Sequence, residues 1–206
     1  FLDELPEFKR SVLEVLRQPM EERKVTISRA RISVDFPANF MLVASMNPCP
    51  CGFFNHPEKT CVCPPGSIKR YLNKISGPLL DRIDLHIEVT PVSYGSLANG
   101  TPAKESTSAV RKRVTDARQL QWQRFYEQKD IFSNAQMNGP AVRKVCSLSK
   151  TSASLLEKAM KKLQLSARAY DRILKVARTI ADLEGAACIE TNHLAEAIQY
   201  RSLDRS

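Results

Sequence analysis

A nearly continuous apolar run over residues 40–46 constrains the fold of this chain more than any other feature of its sequence. The run lies between two breakers, Pro37 and Pro48, and its length is typical of a strand that is buried on both faces of a parallel sheet. Asn47 follows at the carboxyl end of the predicted strand, where α/β proteins bind their ligands. We therefore expect an α/β core with a polar group at the edge of its sheet.

Two further segments show the alternation of apolar and polar residues that is typical of strands. Over residues 24–36 the alternation is interrupted at 28–30, which favours a turn, so this segment predicts a β-hairpin. Over residues 84–89 the same alternation predicts one more strand. A helix is predicted over 6–16, because apolar residues there recur at spacing four.

The last third of the chain switches to helical periodicity. Apolar residues at spacings of three and four predict helices over about 152–163, 167–183 and 192–202. A longer helix with a strongly basic face is predicted over 106–125, after a linker that is rich in turn-forming residues. The expected domains are 1–95, an α/β portion with a cysteine-rich loop at 48–65; 96–137, a connector that carries the basic helix; and 138–206, an all-α domain.

The net charge of the chain bears on its binding partners rather than on its fold. With a net charge of +9 and a pI near 9.4, the chain suits a polyanionic partner such as nucleic acid. A basic protein without such a partner would have the same balance. The sequence contains neither an apolar stretch of about 18 residues nor the layout of a signal peptide, so we expect a cytoplasmic protein that has no membrane partner.

Four of the six cysteines fall within fifteen residues, as two Cys-x-Cys pairs: Cys49 with Cys51, and Cys61 with Cys63. Four thiolates at this spacing can hold one tetrahedral metal ion, and Zn²⁺ in a closed, structural site is favoured. An iron–sulfur cluster could use the same ligands. Reduced thiols or a local disulfide are the simpler alternatives, and His56 is a substitute ligand.

Longer stretches carry a resemblance to a known family. They are Phe-Leu-Asp-Glu-Leu at 1–5, Ser-Met-Asn-Pro-Cys-Pro-Cys-Gly at 45–52, Gly-Pro-Leu-Leu-Asp-Arg-Ile-Asp-Leu at 77–85, and Leu-Ser-Ala-Arg-Ala-Tyr-Asp-Arg at 165–172. In this order they resemble the magnesium-chelatase-like AAA+ ATPases of the ComM type. The resemblance covers nearly the whole chain. It implies an incomplete AAA+ core, a parallel sheet with a β-hairpin insertion, followed by an all-α helical lid domain.

The resemblance assigns roles at an ATP site. Asp3 and Glu4 match the Walker B pair, in which the Asp holds Mg²⁺ and the Glu orients the attacking water. Asn47 matches sensor 1. Arg82 matches the arginine finger that acts on the ATP of a neighbouring subunit, although a single arginine between two aspartates is also typical of an intramolecular ion pair.

Further roles follow from the lid and the hairpin. Arg168 matches the sensor 2 arginine that touches the γ-phosphate, and Arg172 is an alternative one turn later. The hairpin matches the presensor-1 hairpin, whose Lys24, Arg29 and Arg31 would meet DNA phosphates. These three residues would equally suit a solvated polar face.

One family feature is absent from the sequence: the P-loop, Gly-x-x-x-x-Gly-Lys-[Ser/Thr], which holds the β- and γ-phosphates. The chain also has no initiator Met. We therefore expect a C-terminal fragment that hydrolyses no ATP by itself, whereas the intact protein would use ATP and Mg²⁺.

The resemblance implies a ring motor, expected to be hexameric, that drives branch migration of DNA during homologous recombination and natural transformation. Two alternatives stay open. One is a chelatase-like ATPase that remodels a protein or inserts a metal. The other is a non-enzymatic, zinc-stabilised module that binds DNA or protein.

Overall fold

The computed structural model describes residues 1–92, 95 and 105–201. The chain divides into two compact units, Phe1–Ile83 and Asp84–Ser206, each with its own hydrophobic core. Among the described residues, none of the helices combines the length and the apolar character that crossing a membrane requires.

The first unit consists of short elements around a small core. Leu5, Leu13, Ile75 and Leu79 form that core, and each is at most 3% exposed. The elements are a 3₁₀ turn Leu5–Glu7, α1 Arg10–Val15, α2 Arg17–Glu22, β1 Lys24–Arg29, β2 Ile32–Pro37, α3 Ser67–Leu72 and α4 Gly77–Leu80.

The predicted hairpin is confirmed. Strand β1 pairs with β2 in antiparallel register, from Lys24 opposite Pro37 to Arg29 opposite Ile32. The turn lies at Ala30 and Arg31 rather than at 28–30. Period-two alternation alone fixes which residues share a face, but one face of this hairpin keeps apolar side chains exposed, including Ile27, Val34 and Phe36.

The predicted parallel sheet is wrong for the residues that the structure describes, where the regular strands are β1 and β2. The run at 40–46 forms a single parallel bridge, between Ala44 and Leu2. Pairing stops there because Glu4 turns into the left-handed region, with a φ of 51°, and a 3₁₀ turn begins at Leu5. Residues 84–89 likewise form no strand. The chain is mostly helical, with one antiparallel hairpin.

The regular elements that the structure describes in the second unit are all helical, and they include the helices predicted over 106–125, 152–163, 167–183 and 192–202. Its elements are α5 Thr107–Phe125, a 3₁₀ turn Asn134–Gln136, α6 Gly139–Val145, α7 Lys150–Leu163, α8 Ala167–Leu183 and α9 Thr191–Gln199. Its core includes Ile173, Leu174 and Leu194, which are 0–3% exposed. The amphipathic stripes of α7, α8 and α9 bury their apolar faces here, so the pattern by itself was sufficient to predict them.

Side-chain caps explain why several of these helices begin where they do. Ser106, Asn138, Ser149 and Ser166 each accept a hydrogen bond from the backbone N–H three residues later. Such caps satisfy donors that the first helical turn leaves unpaired. Helix α9 begins at Thr191 and is capped by Glu190 in a reciprocal box with His193.

A buried polar network joins α5 to α8. The carboxylate of Asp182 is 1% exposed and accepts hydrogen bonds from both terminal nitrogens of Arg124, at 2.6 and 2.8 Å. It also accepts from Asn134 Nδ2 at 2.7 Å and from Arg178 Nε at 3.1 Å. Because every partner is charged or polar and well placed, this network fixes the C-terminal end of α5 on the bundle.

Candidate metal centre and nucleotide-site residues

The four clustered cysteines converge on one point. Their Sγ atoms all lie within 4.8 Å of one another, and the Cys49–Cys51, Cys51–Cys61 and Cys49–Cys61 separations are 3.4, 3.5 and 3.7 Å. Tetrahedral zinc with bonds of about 2.3 Å places its sulfur ligands about 3.8 Å apart. The donor set therefore fits a metal ion such as zinc.

Backbone amides support the cluster from the loop around it. Cys49 is fully buried, and its Sγ accepts a hydrogen bond from the Phe54 N–H at 3.3 Å. Glycine at 52, with a φ of 81°, allows the sharp turn between these two residues. Such N–H···S bonds stabilise thiolate character at a metal centre.

The thiols influence each other's protonation. The backbone amide of Phe53 contributes most to lowering the pKa of the Cys51 thiol, which falls to about 6. The backbone amide of Cys63 acts to lower the pKa of Cys61, but burial and the bonds to its three neighbouring thiols outweigh it and raise that pKa to about 12. Four thiolates this close repel one another, and a bound cation is what removes that penalty.

His56 lies outside the group of four cysteines. Its Nδ1 accepts hydrogen bonds from the backbone N–H groups of Glu58 and Lys59, both at 3.1 Å, and its ring packs edge-on against Phe53. This ring therefore holds the loop between the two Cys-x-Cys pairs, while the cysteines supply a complete ligand set without it.

The backbone brings the Walker B candidates beside the segment that leads to Asn47. Leu2 pairs with Ala44, and its N–H donates to the Val43 carbonyl oxygen at 2.9 Å. The Ser45 hydroxyl donates to Asp3 Oδ1. Since two parallel segments end together here, the exposed carboxylate of Asp3 and the exposed Asn47 share one end of the pair.

Tyr71 is a residue of this region that sequence reasoning missed. It is buried, and the backbone N–H of Asn47 hydrogen-bonds its hydroxyl oxygen. Burial raises the pKa of Tyr71, and the nearby Glu7 carboxylate adds to the effect. Its position on an apolar helical stripe predicts a core residue, but no pattern in the sequence names Asn47 as its partner.

Arg82, the candidate arginine finger, is buried within its own unit. Its side chain is 7% exposed, its Nη2 pairs with Glu21, and its Nη1 donates to the Pro78 carbonyl oxygen at 2.6 Å. Its Nε is buried without a hydrogen-bond partner. Arg82 therefore forms the intramolecular ion pair that the sequence left open as an alternative. Its partner in that pair is Glu21.

The two lid arginines differ in their surroundings. Arg168 is exposed in the first turn of α8, behind the Ser166 cap. Arg172, one turn later, pairs with Asp84. Asp84 belongs to the Leu-Leu-Asp-Arg-Ile-Asp stretch, so this ion pair joins two of the stretches on which the family resemblance rests.

The three hairpin cations also differ. Lys24 Nζ lies 2.7 Å from Asp35 Oδ2 across the hairpin, and this bond lowers the pKa of Asp35 and raises that of Lys24. Arg29 and Arg31 lie at the exposed tip and make no ion pair with any residue in 1–92, 95 or 105–201. Of the three, the tip arginines are the better placed to meet a phosphate.

Two family models match almost the entire chain. The model described as magnesium chelatase, subunit ChlI, matches residues 1–97, and the model described as magnesium chelatase, subunit ChlI C-terminal, matches residues 104–201. The chain belongs to the magnesium chelatase ChlI-like family. The predicted family membership is therefore confirmed.

Several curated relatives of this ChlI-like chain are similar along its full length. It is 48% identical over 205 residues to the competence protein ComM of Haemophilus influenzae and 44% identical over 205 residues to the uncharacterized protein YifB of Escherichia coli. An uncharacterized Mycobacterium tuberculosis protein is 38% identical over 203 residues. These alignments cover 98–100% of the chain but 39% of each relative. The chain therefore spans about two-fifths of the length of the relatives it matches.

Proposed function

We propose that this chain is the C-terminal part of an ATP-driven AAA+ ring motor that acts on DNA, as a helicase for branch migration in homologous recombination and natural transformation. The observation that carries the proposal is the parallel pairing of Leu2 with Ala44, since it gathers Asp3 and Asn47 at one end of two adjacent segments. Such an end suits one half of a nucleotide site. The similarity to a competence protein supports the proposed process.

The residues of the chain would divide the work at a subunit interface. Asp3 would hold Mg²⁺, Glu4 would orient water, and Asn47 would contact the γ-phosphate. Arg168 would close on the same nucleotide from the lid. Mg²⁺ would supply charge neutralisation between the phosphates, for which a carboxylate at a strand end is a suitable ligand.

In this scheme Arg82 would act on the ATP of the neighbouring subunit. It must then exchange Glu21 for a phosphate, because both ligands use the same guanidinium. A motor could use that exchange to couple ATP binding to subunit contact. The hairpin tip, with Arg29 and Arg31, would contact the DNA backbone.

We also propose that Cys49, Cys51, Cys61 and Cys63 hold a structural Zn²⁺. Four sulfur ligands leave no open position, so the ion would stabilise the loop rather than take part in chemistry. Zinc analysis of the purified chain is the direct test. Visible absorption together with iron content would instead support an iron–sulfur cluster.

DNA binding across a salt series tests the function of the chain itself. Branched and single-stranded substrates should bind, and affinity should fall steeply with salt. Replacing both Arg29 and Arg31 by Ala should lower the slope of log affinity against log salt by about 1.8 on duplex arms. The matched control replaces two exposed lysines of α7, Lys158 and Lys162. Equal slopes in the two double variants would refute the hairpin contact.

A chelatase-like motor that remodels a protein or inserts a metal is the second candidate, and the description of the matching family models favours it. Stimulation of the full-length ATPase by DNA separates the two. An ATPase indifferent to DNA would support the remodelling function. If the natural full-length protein contains no P-loop, the remaining candidate is a non-enzymatic, zinc-stabilised binding module.

A further inference from the structure

Helix α5 carries an exposed stripe of basic and aromatic side chains that the proposed motor function does not use. The α5 stripe consists of Arg111, Arg118, Trp122 and Tyr126, spaced by seven, four and four residues. At 3.6 residues per turn these spacings place all four side chains on one face. Trp122 is 56% exposed and Tyr126 is 71% exposed.

The two aromatic rings form a defined pair. Their centroids are 5.1 Å apart and their planes meet at 73°, an edge-to-face arrangement. The pair is held from beneath, because the adjoining Phe125 is 2% exposed and Arg124 is anchored to Asp182. The rings therefore lie at a fixed end of the helix. A ligand that stacks on them loses little free energy of binding to the ordering of these side chains.

Among the described residues, two of the basic residues of α5 outside the stripe are paired with acids, whereas the two arginines of the stripe are not. Arg113 pairs with Glu105 at 2.9 Å, and Arg124 is neutralised by Asp182. Arg111 and Arg118 make no ion pair with any residue of the part of the chain that the structure describes. The acid within α5, Asp116, lies two residues from Arg118 and thus about 200° around the helix.

We propose that the α5 stripe binds single-stranded DNA by base stacking on Trp122 and Tyr126, with Arg111 and Arg118 on the phosphates. Exposed rings that alternate with uncompensated guanidinium groups match the two faces of a single strand, its bases and its anionic backbone. Charge complementarity selects this occupant over a second copy of the chain, because self-association through the stripe would bring like-charged arginines together. The proposal deepens the proposed DNA function, on which the identity of the ligand rests.

The fluorescence of Trp122 supplies the test, because it is the single tryptophan of the chain. Titration of the 206-residue chain with oligothymidylate should quench its emission, since the indole stacks on a base. Binding of a labelled oligonucleotide, followed by anisotropy, should weaken by about 5-fold to 150-fold in Trp122→Ala and much less in Trp122→Phe. Arg118→Gln should reduce the salt slope by about 0.7.

Matched controls lie elsewhere in the same unit. Phe132 is 57% exposed and Arg143 is exposed, so Phe132→Ala and Arg143→Gln remove comparable groups outside the stripe. Both should bind oligothymidylate like the unaltered chain. All of these side chains are exposed, and helical circular dichroism should therefore be unchanged in every variant.

Several results would overturn the proposal. One is unaltered affinity in Trp122→Ala. Another is equal quenching by heparin, which carries charge but has no bases. A third is a change from dimer to monomer in Trp122→Ala without loss of DNA affinity, which would make the stripe a self-association surface.

The outcome also separates this proposal from the motor function. If branched DNA binds through the hairpin while Trp122→Ala behaves like the unaltered chain, the stripe is wrong and the motor proposal stands. If the stripe binds single strands but DNA never stimulates the full-length ATPase, the stripe stands and the motor proposal fails.

Discussion

The buried guanidinium of Arg82 pairs with Glu21, a residue 61 positions earlier in the chain, and its second terminal nitrogen donates to the Pro78 carbonyl oxygen at 2.6 Å. Glu21 keeps 45% of its side chain exposed, whereas Arg82 keeps 7%. The carboxylate therefore reaches in from the surface to a charge that is already desolvated. A buried arginine depends strongly on such a partner, while an exposed acid loses little without it.

Glu21→Ala should destabilise the first unit by about 1–3 kcal/mol, because it leaves a buried donor unsatisfied. Chemical unfolding of the chain measures the change. Glu22→Ala is the matched control, since Glu22 lies in the same helix and contacts only the exposed Gln18 among the bonds described. Equal stabilities of the two variants would show that the Arg82 pair contributes nothing.

Arg82→Ala in a full-length protein that carries this chain should lower ATP turnover by about a thousandfold or more and leave ATP binding intact, because the finger stabilises charge in the transition state. Steady-state ATPase and nucleotide-binding assays separate these effects. Arg70→Ala, an exposed arginine of α3, is the control. Normal turnover in Arg82→Ala would remove the finger assignment and leave the ion pair with Glu21 as a structural contact.

Replacing Cys61 and Cys63 by Ser should abolish metal binding, since two ligands cannot close a tetrahedral site. Metal content by mass spectrometry should fall from one ion per chain to none, and proteolysis of loop 48–65 should accelerate. Cys188→Ser removes an exposed thiol that is not one of the four clustered cysteines, and this variant should keep its metal. Retention of zinc by the double variant would contradict the proposal that four thiolates bind the ion.

Asp182→Ala should destabilise the helical unit by about 3–5 kcal/mol, because two arginines lose the carboxylate that they share in a buried site. Thermal and chemical unfolding would measure it. The comparison is Glu157→Ala, which breaks the exposed pair with Lys161 and should change the stability of the unit far less, because solvent screens that pair. Similar losses in both variants would contradict the central role of the network.

The Lys24–Asp35 contact should respond to pH at both ends of the range. The bond to Lys24 lowers the pKa of Asp35 below its ordinary 3.8, so its contribution is present above pH 3.8 and is lost as pH falls through the lowered value. Lys24, raised above 10.5, loses its part only as pH rises past that raised value. An NMR titration should show the Asp35 midpoint return toward 3.8 in Lys24→Ala, and an unchanged midpoint would contradict the pairing.

Local patterns predicted the features that depend on neighbours in sequence. Helices α7, α8 and α9 and the hairpin follow from apolar periodicity, and α5 lies where a helix with a basic face was predicted. The cysteine cluster was also predictable from the sequence, because a short loop keeps the two Cys-x-Cys pairs close together. The parallel sheet was not predictable, because a run such as 40–46 becomes a strand only when partners lie along it.

The sequence by itself determined the periodic elements, the cluster of four cysteines and the family, since each is encoded in residues close together or in ordered stretches. Only the tertiary structure decided which distant charges meet. Arg82 pairs with Glu21, which is 61 residues away in sequence, and Arg124 pairs with Asp182, which is 58 residues away. Within α5, the ion pair with Asp182 occupies Arg124, whereas Arg118 stays available to a ligand. Such pairings depend on which distant surfaces pack against each other and exclude water. No local sequence pattern contains that information.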